Sequence, residues 1–184
     1  MFLIVGLGNP GIEYENTRHN MGFSVLDELM ENHVGMEINK NGFKGQYLKT
    51  IYLGEDVVFL KPMTYMNLSG ESVIEAVHFF KIPLENIVVV FDDMDLNPGT
   101  IRLRKSGSSG GQKGMNNIIQ LLGSKDIKRI RVGIGKADNS VVDYVLSRPN
   151  GDEATLIEVA IKKASDAIVE IIKNGFDRAM NKYN

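Results

Sequence analysis

Short apolar runs alternate along this chain with longer stretches of helical periodicity, and that alternation admits few folds. Strand-like runs lie at Phe2–Val5, Gln46–Leu53, Val57–Leu60, Ile87–Phe91, Ile101–Leu103 and Ile130–Ile134. Apolar residues recur at helical spacing in Met21–Asn32, Glu71–Phe80, Met115–Leu122 and Glu153–Lys173. In the last of these Ile157, Ile161, Ala164, Ile168, Ile171 and Ile172 form one stripe, with Asp152 near the start and Gly175 just past the end. Strands interleaved with helices predict an α/β fold. We expect a single domain over residues 1–184, a three-layer sandwich with a mixed, mostly parallel central sheet flanked by helices. Such sheets bind ligands beyond the carboxyl ends of their strands. Three polar clusters follow strands here, Asn9–His19, Met63–Asn67 and Asp92–Asp95. They converge on one site if those strands are parallel neighbours.

At 184 residues, with 43% hydrophobic and 24% charged residues, the composition is that of an ordinary globular protein with a substantial core. No apolar run reaches membrane-spanning length, and Phe2–Val5 is too short for a signal peptide, so no membrane partner is expected. The absence of cysteine excludes disulfides, thiolate metal sites and a thiol nucleophile, and a cytoplasmic protein is the natural reading. The net charge of −2 is unevenly spread: residues 102–136 hold nine basic residues and one acid, net +8, leaving −10 for the remainder. Charge sorted this way predicts an electropositive surface able to hold phosphates. The bland alternative is a solvated rim of helix and strand ends.

Within the first cluster, Phe2–Val5 runs into a glycine- and proline-rich turn, and a polar loop then delivers His19 just ahead of a helix. Loops held between rigid elements often carry catalytic bases, and an imidazole suits proton transfer near neutral pH. His33 and His78 lie inside helical patterns and read as packing or surface residues. One of Asp92 and Asp93 is expected to orient His19 and stabilise its imidazolium; Asp92 is favoured, although spacing alone does not choose between them. Successive strand residues point to opposite faces, which argues against a shared metal site in Asp92-Asp93-Met94-Asp95. Asn67, just before the helix at Glu71–Phe80, is either a cap, in competition with Ser69, or a reader of peptide groups through its amide.

Two motifs are decoys. Gly6-Leu7-Gly8-Asn9-Pro10-Gly11 matches a dinucleotide fingerprint, but helical periodicity starts only near Met21, and Glu13 and Glu15 would repel a pyrophosphate. The glycines read instead as a tight turn with close backbone approach. Gly107-Ser108-Ser109-Gly110-Gly111 matches a nucleophile elbow, and His19, Asp92 and Ser109 would complete a serine-esterase triad. Against this, no histidine follows Ser109, and Ser106–Gly114 has four glycines and three serines, the composition of a mobile loop. That loop also lacks the Gly-Lys-Ser/Thr ending of a nucleotide-binding P-loop.

Several longer segments, in order, carry a resemblance that covers nearly the whole chain. They are Val5–Gly11 with Tyr14 and Thr17–Phe23, Lys61–Gly70, Asp92–Gly99 and Arg129–Gly135. Together they closely resemble bacterial peptidyl-tRNA hydrolases, single-domain enzymes that clear peptidyl-tRNA released from stalled ribosomes. The resemblance implies that His19 is the general base and Asp92 its orienting partner. It implies that Asn9 senses acylation of the amino group and Asn67 holds the peptide backbone. Tyr14, Tyr65, Met66 and Gly110 would line the substrate cleft, while Arg104 and Arg131 would clamp tRNA phosphate. A monomer with no cofactor and no metal is implied, with peptidyl-tRNA as its nucleic-acid partner.

One departure stands out. Where many members have His-Asn, this chain has Gln112-Lys113. Lysine donates but does not accept, so Lys113 is expected to touch substrate through a ribose or phosphate. The expected reaction is ester hydrolysis by His19-activated water, with donors near Asn9, Asn67 and the Gly110-Gly111 backbone on the oxyanion. A non-catalytic RNA-binding module is the rival reading; it accounts for the basic segment but not for the convergence of His19, Asp92 and Asn67.

Overall fold

The computed structural model describes all residues, Met1–Asn184. Seven strands form one sheet: β1 (Phe2–Gly6), β2 (Lys40–Gly42), β3 (Gly45–Tyr52), β4 (Glu55–Pro62), β5 (Ile87–Asp93), β6 (Ile101–Arg104) and β7 (Lys128–Gly133). Their spatial order is β2-β3-β4-β1-β5-β7-β6. The four central strands β4, β1, β5 and β7 run parallel, while β2, β3 and β6 add antiparallel pairs at the two edges. The helices are α1 (Met21–Leu29), α2 (Ser69–Phe80), α3 (Lys113–Leu122), α4 (Val141–Val145), α5 (Gly151–Asn174) and α6 (Phe176–Tyr183). This is the expected single-domain α/β sandwich with a mixed, mostly parallel sheet.

The central strands serve two cores at once. Leu3, Val5, Val89 and Phe91 pack with Val73 of α2 and Met115 and Ile118 of α3. Ile4, Val88 and Val90 pack on the other face with Leu26 of α1 and Ile157, Ala164 and Ile168 of α5. Burial on both sides explains why these strands read as unbroken apolar runs. Truncating one such side chain, for example Leu26→Ala, costs about 2–5 kcal/mol.

Several elements differ from the sequence reading. The helix expected over Met21–Asn32 changes at Met30 to a wider π turn, closed by Gly35 N donating to the Met30 carbonyl at 2.8 Å. Strand β2 and helices α4 and α6 were not anticipated. β2 is only three residues and polar, α4 is five, and the periodicity of α6 is hidden behind the break at Gly175. α3 begins two residues earlier than its apolar pattern because Gln112 caps it.

The chain leaves β1 toward α1 on one face and β4 toward α2 on the other, which opens a crevice at their carboxyl ends. Close approach sets the depth of that crevice. A Cβ on Gly22 would lie 2.1 Å from Leu7 N and 2.4 Å from the Val90 carbonyl oxygen, and one on Gly6 would lie 2.3 Å from the Gly22 carbonyl oxygen. Only glycine lets the start of α1 press onto the ends of β1 and β5, and that contact carries His19 to the strand ends.

Candidate active site

The three polar clusters meet because β4, β1 and β5 are parallel neighbours. Asn9 N donates to Asn20 Oδ1 at 2.9 Å, and Asn20 Nδ2 donates back to the Asn9 carbonyl at 3.0 Å. The side chain of Asn9 crosses to the next loop, where its Oδ1 accepts from Met66 N at 2.7 Å. A backbone N–H can only donate, so the amide orientation is fixed. Asn9 Nδ2 is the end left for the cleft.

His19 sits in a 3-10 turn, Arg18–Asn20, directly ahead of α1. Its Nδ1 lies 3.0 Å from Asp92 Oδ2, with the two side chains 13% and 4% exposed. Against a carboxylate, Nδ1 carries the proton and Nε2 keeps its lone pair as an acceptor. Asp93 turns the other way: it pairs with Arg131 Nε and accepts from Asp95 N at 2.7 Å. Geometry therefore makes the choice that spacing left open. Asp92 is the carboxylate at His19.

A cleft of about 260 Å³ lies over this pair, lined by Asn9, His19, Tyr65, Met66, Asn67, Asp92, Gly110, Gly111 and Lys113, with an apolar wall of Met94, Val141, Val142, Val145 and Leu146. Asn67 is exposed on the Met66–Leu68 turn and caps nothing; Ser69 Oγ instead donates to the Met66 carbonyl at 2.8 Å. Tyr65 has φ 62° and ψ 158°, a backbone region nearly confined to glycine that costs about 1–3 kcal/mol. The residue is 57% exposed, and its ring meets that of Tyr14 edge-on with centroids 6.4 Å apart. Tyr14 thus reaches the site through Tyr65 and is not itself part of the cleft lining. Ser109 lies off the cleft, along a polar groove beside α3, and its Oγ accepts from Gly111 N at 3.3 Å. No triad with His19 forms.

The pattern of the peptidyl-tRNA hydrolase family matches residues 3–184. The chain belongs to this family. It is 51% identical over 184 residues to the peptidyl-tRNA hydrolase of Thermoanaerobacter sp. strain X514, with all of both chains covered. It is 49% identical to that of Clostridium acetobutylicum, covering 100% of this chain and 98% of the relative. The crystal structure of peptidyl-tRNA hydrolase from Acinetobacter baumannii superposes with a TM-score of 0.93 at 38% identity, covering 100% of this chain and 94% of that one. The family is one of hydrolases, and no helix in this member is long and apolar enough to cross a membrane.

Three features of the site were missed in the sequence of this peptidyl-tRNA hydrolase family member. Gln112, 7% exposed, donates through Nε2 to Asp92 Oδ1 at 3.0 Å while its Oε1 accepts from Met115 N at 2.7 Å. The departure from His-Asn at Gln112-Lys113 is the signal that marks it in the sequence. Arg18 carries no signal of its own in the sequence. It bonds Glu153 Oε1 through Nε at 2.8 Å and Ser147 Oγ through Nη1 at 2.5 Å, and lies 4.3 Å from the centre of the Tyr144 ring. It therefore ties the residue before His19 to the apolar wall. That wall, α4, was itself missed, although Ser140-Val141-Val142-Asp143 spells a capping pattern and Ser140 Oγ accepts from Asp143 N at 3.2 Å. Burial, with Glu153 nearby, pushes the Tyr144 hydroxyl up from its usual value, partly opposed by Arg18; the hydroxyl donates to the Ile134 carbonyl.

The basic segment is not uniform. Arg102 pairs in register with Arg131, and Arg104 with Arg129, so four arginines share one face of β6 and β7. Arg104 is exposed, with Nη1 on its neighbour's carbonyl at 3.1 Å. Arg131 is held by Asp93 through Nε, and its two Nη atoms make no hydrogen bond within the protein. Arg129 is buried and donates to the carbonyls of Ile127, Ser108 and Lys125 at 2.8–3.0 Å, pinning the Ser106–Gly111 loop. Burial first, and Arg131 second, lower its pKa.

Proposed function

We propose that this chain hydrolyses the ester joining a peptide to the 3′-terminal ribose of peptidyl-tRNA, releasing free tRNA and peptide, and so returns tRNA from stalled translation in the cytoplasm. The observation that carries the reading is the 3.0 Å contact of His19 Nδ1 with a buried Asp92, which leaves Nε2 as the open nitrogen on the cleft. His19 Nε2 takes a proton from water as the hydroxide oxygen bonds to the ester carbonyl carbon. Asp92 stabilises the imidazolium so formed. When the tetrahedral intermediate collapses, the carbon–oxygen bond to ribose breaks and Nε2–H returns its proton to the departing oxygen.

Asn9 Nδ2 and Asn67 supply donors toward the oxyanion and the peptide amide; the Gly110 and Gly111 N–H groups, which donate to Ser108 and Ser109 Oγ at 3.4 and 3.3 Å, join them only on leaving those partners. Met66 and the wall of α4 receive apolar side chains of the acyl group, and Tyr65, backed by Tyr14, offers a stacking face for the terminal adenosine. A free aminoacyl group lacks the extra amide and leaves site groups unpaired, which favours blocked substrates. Arg104, the free Nη pair of Arg131 and Lys113 meet phosphate or ribose of the acceptor arm. A monomer suffices for this chemistry.

Incubation with N-acetyl-aminoacyl-tRNA, following release of the acetylated amino acid, tests the reading. His19→Ala is expected to lower kcat by about 10²–10⁴-fold while tRNA binding persists. Undiminished turnover would remove His19 as the base.

A further inference from the structure

We propose that Gln112 is a positioning residue for the His19–Asp92 pair, holding the second carboxylate oxygen so that the first always accepts from His19 Nδ1. The inference rests on His19 being the base. Its geometric basis is that Gln112 has no freedom in its amide. Oε1 accepts from Met115 N at 2.7 Å, and only an acceptor fits there. The NH2 group must therefore face Asp92 Oδ1, at 3.0 Å, with Met66 Sδ at 3.2 Å as its other neighbour.

Asp92 is 4% exposed, so little water reaches Oδ1. Without the amide, that oxygen would be a buried acceptor with no donor, and rotation of the carboxylate would loosen the plane presented to His19. With it, each carboxylate oxygen has one protein donor. A glutamine also donates at every working pH, so the donor to Asp92 never titrates. The remaining charges near the pair are committed elsewhere: Asp93 to Arg131 and Arg18 to Glu153, while Lys113 is exposed at the cleft mouth.

Gln112 also caps α3, so simple deletion confounds positioning with stability. Gln112→Glu separates them. The carboxylate still accepts from Met115 N, so the cap of α3 is kept, and the melting temperature falls only through repulsion between the two buried carboxylates. At pH values where the two carboxylates no longer share a proton, the donor to Asp92 is lost and a second negative charge faces it. A charge-assisted hydrogen bond of about 1.5–3 kcal/mol corresponds to roughly a 10–150-fold loss in kcat. The acid limb of kcat/KM is expected at higher pH than in the parent, because two carboxylates hold the imidazolium longer. Gln112→Met, which cannot donate, should lower kcat in the same sense. In the resting protein, nitrogen chemical shifts of His19 should change from a single Nδ1–H tautomer to a mixture in either variant.

If Gln112→Glu retains parental kcat, acid limb and tautomer, or if activity falls only in step with melting temperature, Gln112 is a helix cap and the inference is overturned. The tautomer measurement needs no turnover. It decides Gln112 even if His19→Ala were to show that the base lies elsewhere.

Discussion

Replacing Asn9 by aspartate should separate what that side chain does for the fold from what it does for the reaction. Its Oδ1 accepts from Met66 N at 2.7 Å and joins the loops after β1 and β4, while Nδ2 faces the cleft. Aspartate keeps an acceptor for Met66 N, strengthened by charge, and the backbone exchange with Asn20 is untouched. The hydrogen bonds of the fold are thus kept, and the stability cost is that of an uncompensated charge at a buried position, about 3 kcal/mol. At the reacting centre the effect is large. Loss of one donor toward an oxyanion costs about 2.7–4 kcal/mol, or 10²–10³-fold in kcat, and an opposing carboxylate oxygen adds repulsion on top. We expect kcat to fall by at least about 10³-fold, with KM for N-acetyl-aminoacyl-tRNA moving far less. Asn9→Ala should behave differently: it orphans Met66 N, costing about 1–3 kcal/mol. For a chain of this size that lowers the melting temperature by about 2–12 °C. Steady-state kinetics and thermal melts of the two variants side by side provide the check. An aspartate variant within a few fold of parental kcat would refute the donor role, and an alanine variant as stable as the parent would refute the strut.

Other substitutions read out the remaining parts. Arg104→Ala should weaken tRNA binding and reduce the slope of log affinity against log salt by about 0.7–0.9, and an unchanged slope would place phosphate elsewhere. Arg131→Ala should also cost about 3 kcal/mol of stability, because it strips the cation from buried Asp93; adding Asp93→Asn should recover most of that in a thermal melt. Arg18→Met, which releases Ser147 and Glu153, should raise KM more than it lowers kcat and speed amide exchange in residues 141–147. Tyr144 titrates above its usual value, so its contribution to stability is present below about pH 10 and lost as pH rises through the higher folded value. Alkaline melts of Tyr144→Phe should accordingly show a shallower decline than the parent.

Much of this fold was legible because its central strands obey a simple rule. Leu3 to Val5 and Ile87 to Phe91 are buried on both faces, so each reads as an unbroken apolar run, and the polar residues after them mark the carboxyl ends. What escaped has a physical cause in each case. β2 pairs through backbone groups of Lys40, Asn41 and Gly42 and needs no apolar signature. α4 presents Val141 and Val142 to the cleft, so its apolar residues follow the site's geometry and not the period of a buried stripe. Arg18 was silent because its partners, Ser147 and Glu153, lie more than 120 positions away. The ion pair of Arg131 was silent because nothing in its spacing shows that Asp93, on the neighbouring strand, holds its Nε.

The site also shows why residue type alone undervalues an amide. Asn9 and Gln112 share one arrangement: in each, the carbonyl oxygen is locked onto a backbone N–H, of Met66 and Met115 respectively, and the NH2 group is thereby aimed. An amide in solution presents either end, so as a ligand it is ambiguous. Once its oxygen is fixed by a donor that cannot reverse roles, it becomes a neutral donor with a set direction. Asn9 points that donor at the cleft and Gln112 points it at the far side of Asp92, while His19 occupies the near side. In the proposed reaction these fixed neighbours would leave a single histidine both to take a proton from water and to give it back to ribose.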